Sequence, residues 1–486
     1  MAGRGLGFLA AFVIPMILAR LFTVEEFGTY KQLFLIYGTL FGIAQVGMAE
    51  SLFYFLPNER QHGGKYVANT LLVLGGVGLL AFGGLWVLEG YIARLLNNPD
   101  LVGYIPFIGA YLFFMLMAVS LETVMIVKKQ HMAASFTYAL SDLVRALLYI
   151  APVLIFPELH WLLLGALGFA VIRCVANLIY VAREFGGGLR QDTPLLRKHL
   201  GYALPFGLAG LIEILQANFH LYVVSYNFDV ATFAIYAVGC LQIPLVEYLT
   251  SSTANVMMTS MREKLLAQDK AGACAIWRDT TRKLALIVFP LIAAMIILAH
   301  ALIILFFTAT YEESVPIFML WSFGMLASVL LTSGALRVLA ETRFLIIQNL
   351  IQLSLTAIFI FWFINLFGII GAVLAMILAK VLTRIVSLFR IKAVLDVGWS
   401  MLLPWKSLYL SLLLATLAVV PALFVESLLS LPGLPGIAVT GLVYGLSYFC
   451  LLLLFGPMYD DEKEMLVDWV QKPFAWVYRT MRLQRG

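Results

Sequence analysis

Long apolar runs separated by short polar links make up almost the whole chain. Fourteen of them lie near 5–20, 33–56, 66–88, 103–123, 139–156, 161–181, 201–225, 231–253, 284–307, 315–336, 344–365, 368–390, 405–425 and 434–456. A hydrocarbon core of ~30 Å takes ~20 apolar helical residues, which is the length of these runs. The first run closes at Arg20 with no small-x-small cleavage site behind it, so it reads as an uncleaved span rather than a signal peptide.

Composition narrows the class. Of 486 residues, 62% are hydrophobic and 12% charged, against ~45–50% and ~25% in a soluble domain. A polytopic membrane protein is the class left. Cys174, Cys240, Cys274 and Cys450 sit in separate segments with no paired spacing, and read as small apolar fillers. The net charge of +5 informs topology and implies no nucleic-acid partner.

With the N-terminus inside, 25 of the 32 basic residues collect in inner links, and only Arg20, Lys31 and Arg94 fall outside. The remaining four, Arg145, Arg173, Lys380 and Arg384, lie inside spans. Cytoplasmic links retain Lys and Arg, so this split predicts an even number of spans and two cytoplasmic termini. The longest links, 182–200 and 254–283, then face inward, and no outer loop exceeds about fifteen residues. The tail, 457–486, mixes Trp469, Phe474 and Trp476 with Arg479 and Arg482, a pattern suited to an interfacial amphipathic helix.

Two links repeat. FTVEEFGTY follows the first span and FDVATFAIY the seventh, so Phe22, Val24, Phe27 and Tyr30 match Phe228, Val230, Phe233 and Tyr236 at an offset of 206. Both links stand on the outer side between the first and second helix of a six-helix unit. The predicted fold is an all-α polytopic protein with two parallel-repeat six-helix bundles and two added helices. Its parts are a first bundle at 1–181, a cytoplasmic linker at 182–200, a second bundle at 201–392, two further helices at 393–456 and the tail.

The stretch ARLFTVEEFGTY resembles the first-loop signature of Wzx-like polysaccharide flippases, in the polysaccharide transporter family of the MOP superfamily. The matching positions are Arg20, Glu25, Glu26, Phe27, Gly28 and Tyr30. The seventh helix departs from the family pattern, reading Asn218-Phe219-His220 where an Asn-x-Asp-like polar end is usual. The resemblance implies a MATE-like fold in a bacterial inner membrane and a polyprenyl-pyrophosphate-linked oligosaccharide as substrate. It also implies membrane lipids and polysaccharide polymerase or export machinery as partners, and no cofactor beyond a coupling H⁺ or Na⁺.

Ionisable residues inside a bilayer cost several kcal/mol and mark a partner or a wet cavity. Arg173, in mid-span, is expected to line a cavity. Asp142 and Arg145, three apart, can pair on one helix face. Lys380 and Arg384, four apart, share a face, where either an anion lies between them or Arg384 extends to the interface. These four cations are the candidates for the substrate's pyrophosphate. Glu213 follows the interrupted Pro205-Phe206-Gly207 opening of its helix, and either takes up a coupling proton or pairs with an arginine; Glu50 and Glu247 are lesser candidates. His220 and His300 read as packed histidines. No phosphate-cradling loop, metal-spaced His/Cys set or nucleophile–base pair accompanies them, so no enzyme is predicted. Two alternatives stay open: a MATE-like small-molecule exporter and a membrane-embedded sugar polymerase or glycosyltransferase.

The topology is testable. Single cysteines at 227, 310 and 430 are expected to react with an impermeant thiol reagent added outside. Labelling only from the cytoplasm at any of them would overturn the span assignment.

Overall fold

The computed structural model describes residues 2–464 except 242, 430, 432 and 461, and side chains from Phe12 on except those of 206 and 209. Most of the tail expected to form an interfacial helix lies outside the described residues. All regular structure within them is helical. The first half comprises α1 (Ala2–Leu21), α2 (Val24–Ala44), α3 (Met48–Asn58), α4 (Gly63–Leu95), α5 (Ile105–Ala118), α6 (Ser120–Val127), α7 (His131–Ile155) and α8 (Leu159–Phe185). It continues with α9 (Thr193–Asn227), α10 (Val230–Gly239), α11 (Pro244–Leu266), α12 (Lys270–Ile297), α13 (Ala299–Phe307), α14 (Ser314–Gly324) and α15 (Thr332–Val338). The last are α16 (Thr342–Phe367), α17 (Ile369–Leu395), α18 (Trp399–Leu402), α19 (Trp405–Leu417), α20 (Val419–Leu429) and α21 (Gly433–Phe455).

Among the described residues, eleven helical stretches are long and apolar enough to cross a membrane, or thirteen when two bent pairs each count as one span. The chain is a multi-pass membrane protein. Of the fourteen spans expected, the first contributes only a short apolar stretch, Phe12–Leu21, within the described side chains.

Link residues explain where helices start. Thr23 caps α2 in a full capping box, accepting from the Glu26 N–H at 3.2 Å while Glu26 Oε2 accepts from the Thr23 N–H at 3.0 Å. Asp192, Asp229 and Asp269 cap α9, α10 and α12 through their carboxylates. Each such cap satisfies an orphan N–H and contributes about 1 kcal/mol. Asp192 also binds Lys65 at 2.7 Å, and that ammonium holds its carboxyl below the usual range. The carboxyl of Glu59, between α3 and α4, is held down in the same way by hydrogen bonds from Lys198 and Tyr66. The link before α9 is therefore tied to α4.

Two helices break where the sequence supplies the means. The chain between α2 and α3 turns through positive φ at Val46 (49°) and Gly47 (71°). In α9, Pro205 cannot donate to the helix ladder, and the stretches Thr193–Pro205 and Gly210–Asn227 meet at more than 40°. These breaks touch: a Cβ on Gly207 would stand 2.5 Å from the Val46 carbonyl carbon.

The chain divides into two compact units. One comprises 1–245, 303–324 and 340–387; the other comprises 246–302, 325–339 and 388–486. In the first, the two repeat links play equivalent parts. Thr23 and Asp229 are caps, and Phe27, Tyr30, Phe233 and Tyr236 are buried. Helices α2 and α10 cross at Gly28, where a Cβ would lie 2.7 Å from Val230 Cγ1 and closer still to its carbonyl oxygen. Arg20, at the end of α1, donates to the Leu305 carbonyl. In the second unit α12 packs on α19, α20 and α21; buried Trp277 donates to the Leu330 carbonyl at 2.9 Å, and Tyr448 donates to that of Leu286 at 2.9 Å.

The crossing predicts contrasting glycine variants. Gly28→Val is expected to destabilise the protein by roughly 1–3 kcal/mol through overpacking. Gly38→Ala, on the same helix with nothing within 4 Å of its Cβ, should cost nothing and gain up to ~1 kcal/mol. Unfolding midpoints of the purified proteins check this; equal midpoints would show that the crossing tolerates a side chain.

Candidate functional site

The first-loop motif makes packing and capping contacts. Glu26 closes the capping box and Gly28 permits the helix crossing. Tyr30 is buried with its ring 5.6 Å from Phe27 and 4.9 Å from Phe34. None of the motif's side chains meets a catalytic partner.

Two of the embedded cations, Arg173 and Arg145, are paired with carboxylates. Arg173 on α8 binds Glu122 on α6 through both terminal nitrogens, at 2.8 and 2.9 Å, and also donates to Ser141 Oγ on α7 at 2.6 Å. Its side chain is 14% exposed and that of Glu122 4%. Arg173 thus ties three helices together, and its charge is balanced on the spot. Arg145 pairs with Asp142 at 2.8 Å, the i,i+3 contact expected. Next to these pairs α2, α5 and α7 converge on an aromatic cluster. Tyr149 donates to the Tyr111 hydroxyl at 2.9 Å, Tyr37 lies 4.6 Å from the Tyr111 ring, and Phe34 touches both Tyr111 and Tyr149 at 6.0 and 5.9 Å. The charges of Arg145 and Arg173 both act on Tyr37 and Tyr111.

On α17 the arrangement differs. Lys380 is half-buried, with no carboxylate at ion-pair distance among the described residues and Arg384 as the neighbouring charge. Glu213 on α9 is exposed and makes no ion pair among the described residues; the same holds for Glu50 on α3 and Glu247 on α11. His220 is buried and packed, its Nδ1 sharing a hydrogen bond with the Tyr236 hydroxyl at 2.7 Å. Among the described residues no group of three or more His, Cys, Asp or Glu side chains could hold a metal ion.

A further polar set was not anticipated. Gln32 on α2 donates to the Leu96 carbonyl at 3.0 Å and to Ser225 Oγ on α9 at 2.8 Å. Asn98 donates to Gln32 Oε1 at 2.6 Å and to Thr29 Oγ1 at 2.9 Å. All four side chains are buried. They lock α2, the link after α4 and α9 together. Lone polar residues near the ends of apolar runs were the available signal.

A family model described as polysaccharide biosynthesis protein matches residues 17–316. The chain belongs to this family of polysaccharide biosynthesis proteins. None of the curated proteins matches it. Among solved structures, this polysaccharide biosynthesis protein is similar to the lipid II flippase MurJ in an inward closed conformation. The TM-score is 0.72 at 13% identity, covering 93% of this chain and 98% of that one. An inward-facing multidrug resistance MATE family transporter of the MOP superfamily aligns with a TM-score of 0.63 at 13% identity, over 81% of this chain and 96% of that one. A MOP superfamily transporter from Pyrococcus furiosus gives 0.56 at 13% identity, over 82% and 94%. At such identities these likenesses establish the fold, which this chain shares with those transporters.

In this polysaccharide biosynthesis protein the Arg173–Glu122 pair generates a stability prediction. Arg173→Ala leaves a buried carboxylate unpaired and is expected to cost about 3–5 kcal/mol, whereas Arg173→Met combined with Glu122→Leu should recover most of that loss. Melting midpoints and folded yield check it. An Arg173→Ala protein as stable as the wild type would show that the pair does not hold the bundle.

Proposed function

We propose that this protein is a flippase that moves a polyprenyl-pyrophosphate-linked oligosaccharide from the inner to the outer leaflet of a bacterial inner membrane, for cell-surface polysaccharide synthesis. The observation that carries this reading is Lys380. It is a half-buried cation in a membrane helix, one turn from Arg384, without a carboxylate at ion-pair distance among the described residues, in a chain of the polysaccharide biosynthesis family. Lys380 brings a positive charge into the membrane helix, and a pyrophosphate supplies an anion to meet it. MurJ, which shares the fold, is named a lipid II flippase, and lipid-linked cargo fits the same architecture.

Transport is driven, in this reading, through Glu213. It stands beyond the bend at Pro205, exposed and without an ion-pair partner among the described residues, on the helix whose break meets the break between α2 and α3. A charge moved across the full potential supplies about 2.3 kcal/mol per 100 mV, enough to bias two states more than tenfold.

The test is flipping in vesicles reconstituted with a polyprenyl-pyrophosphate oligosaccharide. Loss of a charged hydrogen bond of about 1.5–3 kcal/mol predicts that Lys380→Ala transports at least tenfold more slowly, with Lys380→Arg retaining part of the activity. Glu213→Gln should still bind the lipid and lose the response to an imposed pH or sodium gradient. Wild-type flipping by Lys380→Ala would remove this cation from the substrate site, and a normal gradient response in Glu213→Gln would place coupling elsewhere.

A further inference from the structure

A second cationic site, apart from α17, lies within the unit built on α12. The first turns of α12 face the link 396–404 and the start of α19, and together they enclose a cavity of about 480 Å³. Three cations line it, Arg278, Arg282 and Lys406, with the hydroxyls of Ser400 and Ser407 and the ring of Tyr459.

The cations are not equivalent. Arg282 is already engaged: it donates to Glu462 at 2.7 Å and to Asp279 at 2.7 Å, and its guanidinium lies 4.3 Å from the Tyr459 ring centre. Those hydrogen bonds hold the Glu462 carboxyl down to about 2, so it stays ionised and keeps the segment after α21 on the cavity wall. Asp279, the one carboxylate lining the cavity among the described residues, is shared between Arg282 and Lys283. Arg278 has no such partner. Its Nε is buried without a hydrogen-bond acceptor, and no carboxylate pairs with its guanidinium among the described residues. Lys406 is likewise unpaired. The cavity therefore holds two cations that no carboxylate pairs with among the described residues.

The surroundings select the kind of anion. Helix α19 begins at Trp405 after Pro404, with no side-chain cap, so the N–H groups of its first turn remain open beside Lys406 and Ser407. An arginine fork, an ammonium, two hydroxyls and free helix N–H groups together match the oxygens of a phosphate. Aromatic side chains stand beside the cavity. Trp405 donates through its indole to the Trp399 carbonyl at 2.7 Å, and Trp399 lies 4.8 Å from Phe389, an aromatic set of the kind found at a membrane–water interface. A phosphate and its waters fit in the volume, since each water takes roughly 30 Å³.

We propose that this cavity is a binding site for a phosphate headgroup, held by Arg278 and Lys406 with Ser400 and Ser407, and walled by the segment that Glu462 fastens to Arg282. The phosphate belongs either to an anionic phospholipid of the surrounding leaflet or to a soluble phosphate compound; the recognising chemistry is the same. The site is separate from the one proposed for transport and does not depend on it.

Thermal unfolding of the detergent-purified full chain tests it, with phosphatidylglycerol, phosphatidylcholine or inorganic phosphate added. Phosphatidylglycerol should raise the midpoint by several degrees more than phosphatidylcholine does. The concentration needed should rise at least tenfold in Lys406→Gln and in Arg278→Gln, and less in Arg278→Lys. Lys406 is exposed, so its variant folds whatever the cost at Arg278. Arg262→Gln, an exposed basic residue that does not line the cavity, should respond as the wild type does. If millimolar inorganic phosphate reproduces the shift, the ligand is soluble; if only the lipid does, it is a lipid. The proposal fails if neither ligand shifts the midpoint, if Lys406→Gln responds like the wild type, or if Arg262→Gln loses the response equally, which would mean diffuse attraction to the basic face.

Discussion

In a lipid core, an N–H or C=O that leaves a helix must find its partner inside the protein. This protein breaks its helices at the Val46–Gly47 turn and near Pro205, and the two breaks are pressed together through Gly207. Much of the first unit follows from that contact. Helix α9 can bend only where α2 gives way to α3, and the small residues Gly28, Gly42 and Gly207 mark where the two helices of one link approach those of the other. At Gly42 a Cβ would stand 2.5 Å from Ile214 Cδ1, so α2 meets a side chain of α9 there, whereas at Gly28 it meets the backbone of α10.

Polar side chains then finish what close packing begins. The set formed by Gln32, Asn98 and Ser225 shares its hydrogen bonds among buried groups on three elements, and it includes the Leu96 carbonyl at the end of α4. A fully satisfied buried network gives one arrangement a definite energy advantage, since breaking it exposes several groups with no water to replace the lost partners. Together with the Gly28 crossing, it holds the ends of α2, α4 and α9 in one state. A carrier that alternates between states must break such a network as a unit.

Much of this was legible in the sequence because it is local. Apolar runs of bilayer length, Asp and Thr at the link positions, and the repeat at an offset of 206 all depend on residues near one another in the chain. Thr23 and Asp229 occupy the same position in the two links and cap equivalent helices. The Arg145–Asp142 pair was readable for the same reason, being one turn long. The partner of Arg173 was not, since Glu122 lies 51 residues away on another helix and no periodicity connects them. The Gln32–Ser225 bond spans 193 residues, and only the packing of α2 on α9 brings it about. The first-loop motif was visible, but its residues look the same in sequence whether they serve chemistry or packing; the capping box and the crossing at Gly28 are the packing they provide.

The distribution of charge separates scaffold from working surface. Arg173 and Arg145 sit beside carboxylates that arrive with the fold, so their cost is met when the helices assemble, and nothing about them needs to change afterwards. Lys380 has no such partner, and an uncompensated cation in a membrane helix is a standing penalty that an anionic ligand relieves. A ligand bound only by the folded protein stabilises it by an amount that grows with the logarithm of its concentration above Kd, so the anion proposed to bind at Lys380 would restore part of the stability missing from α17. The unpaired acid on α9 follows the same logic with opposite sign. Glu213 without a counter-charge is a group whose state a passing cation or proton can alter, and it stands on the helix whose bend must move if access is to alternate.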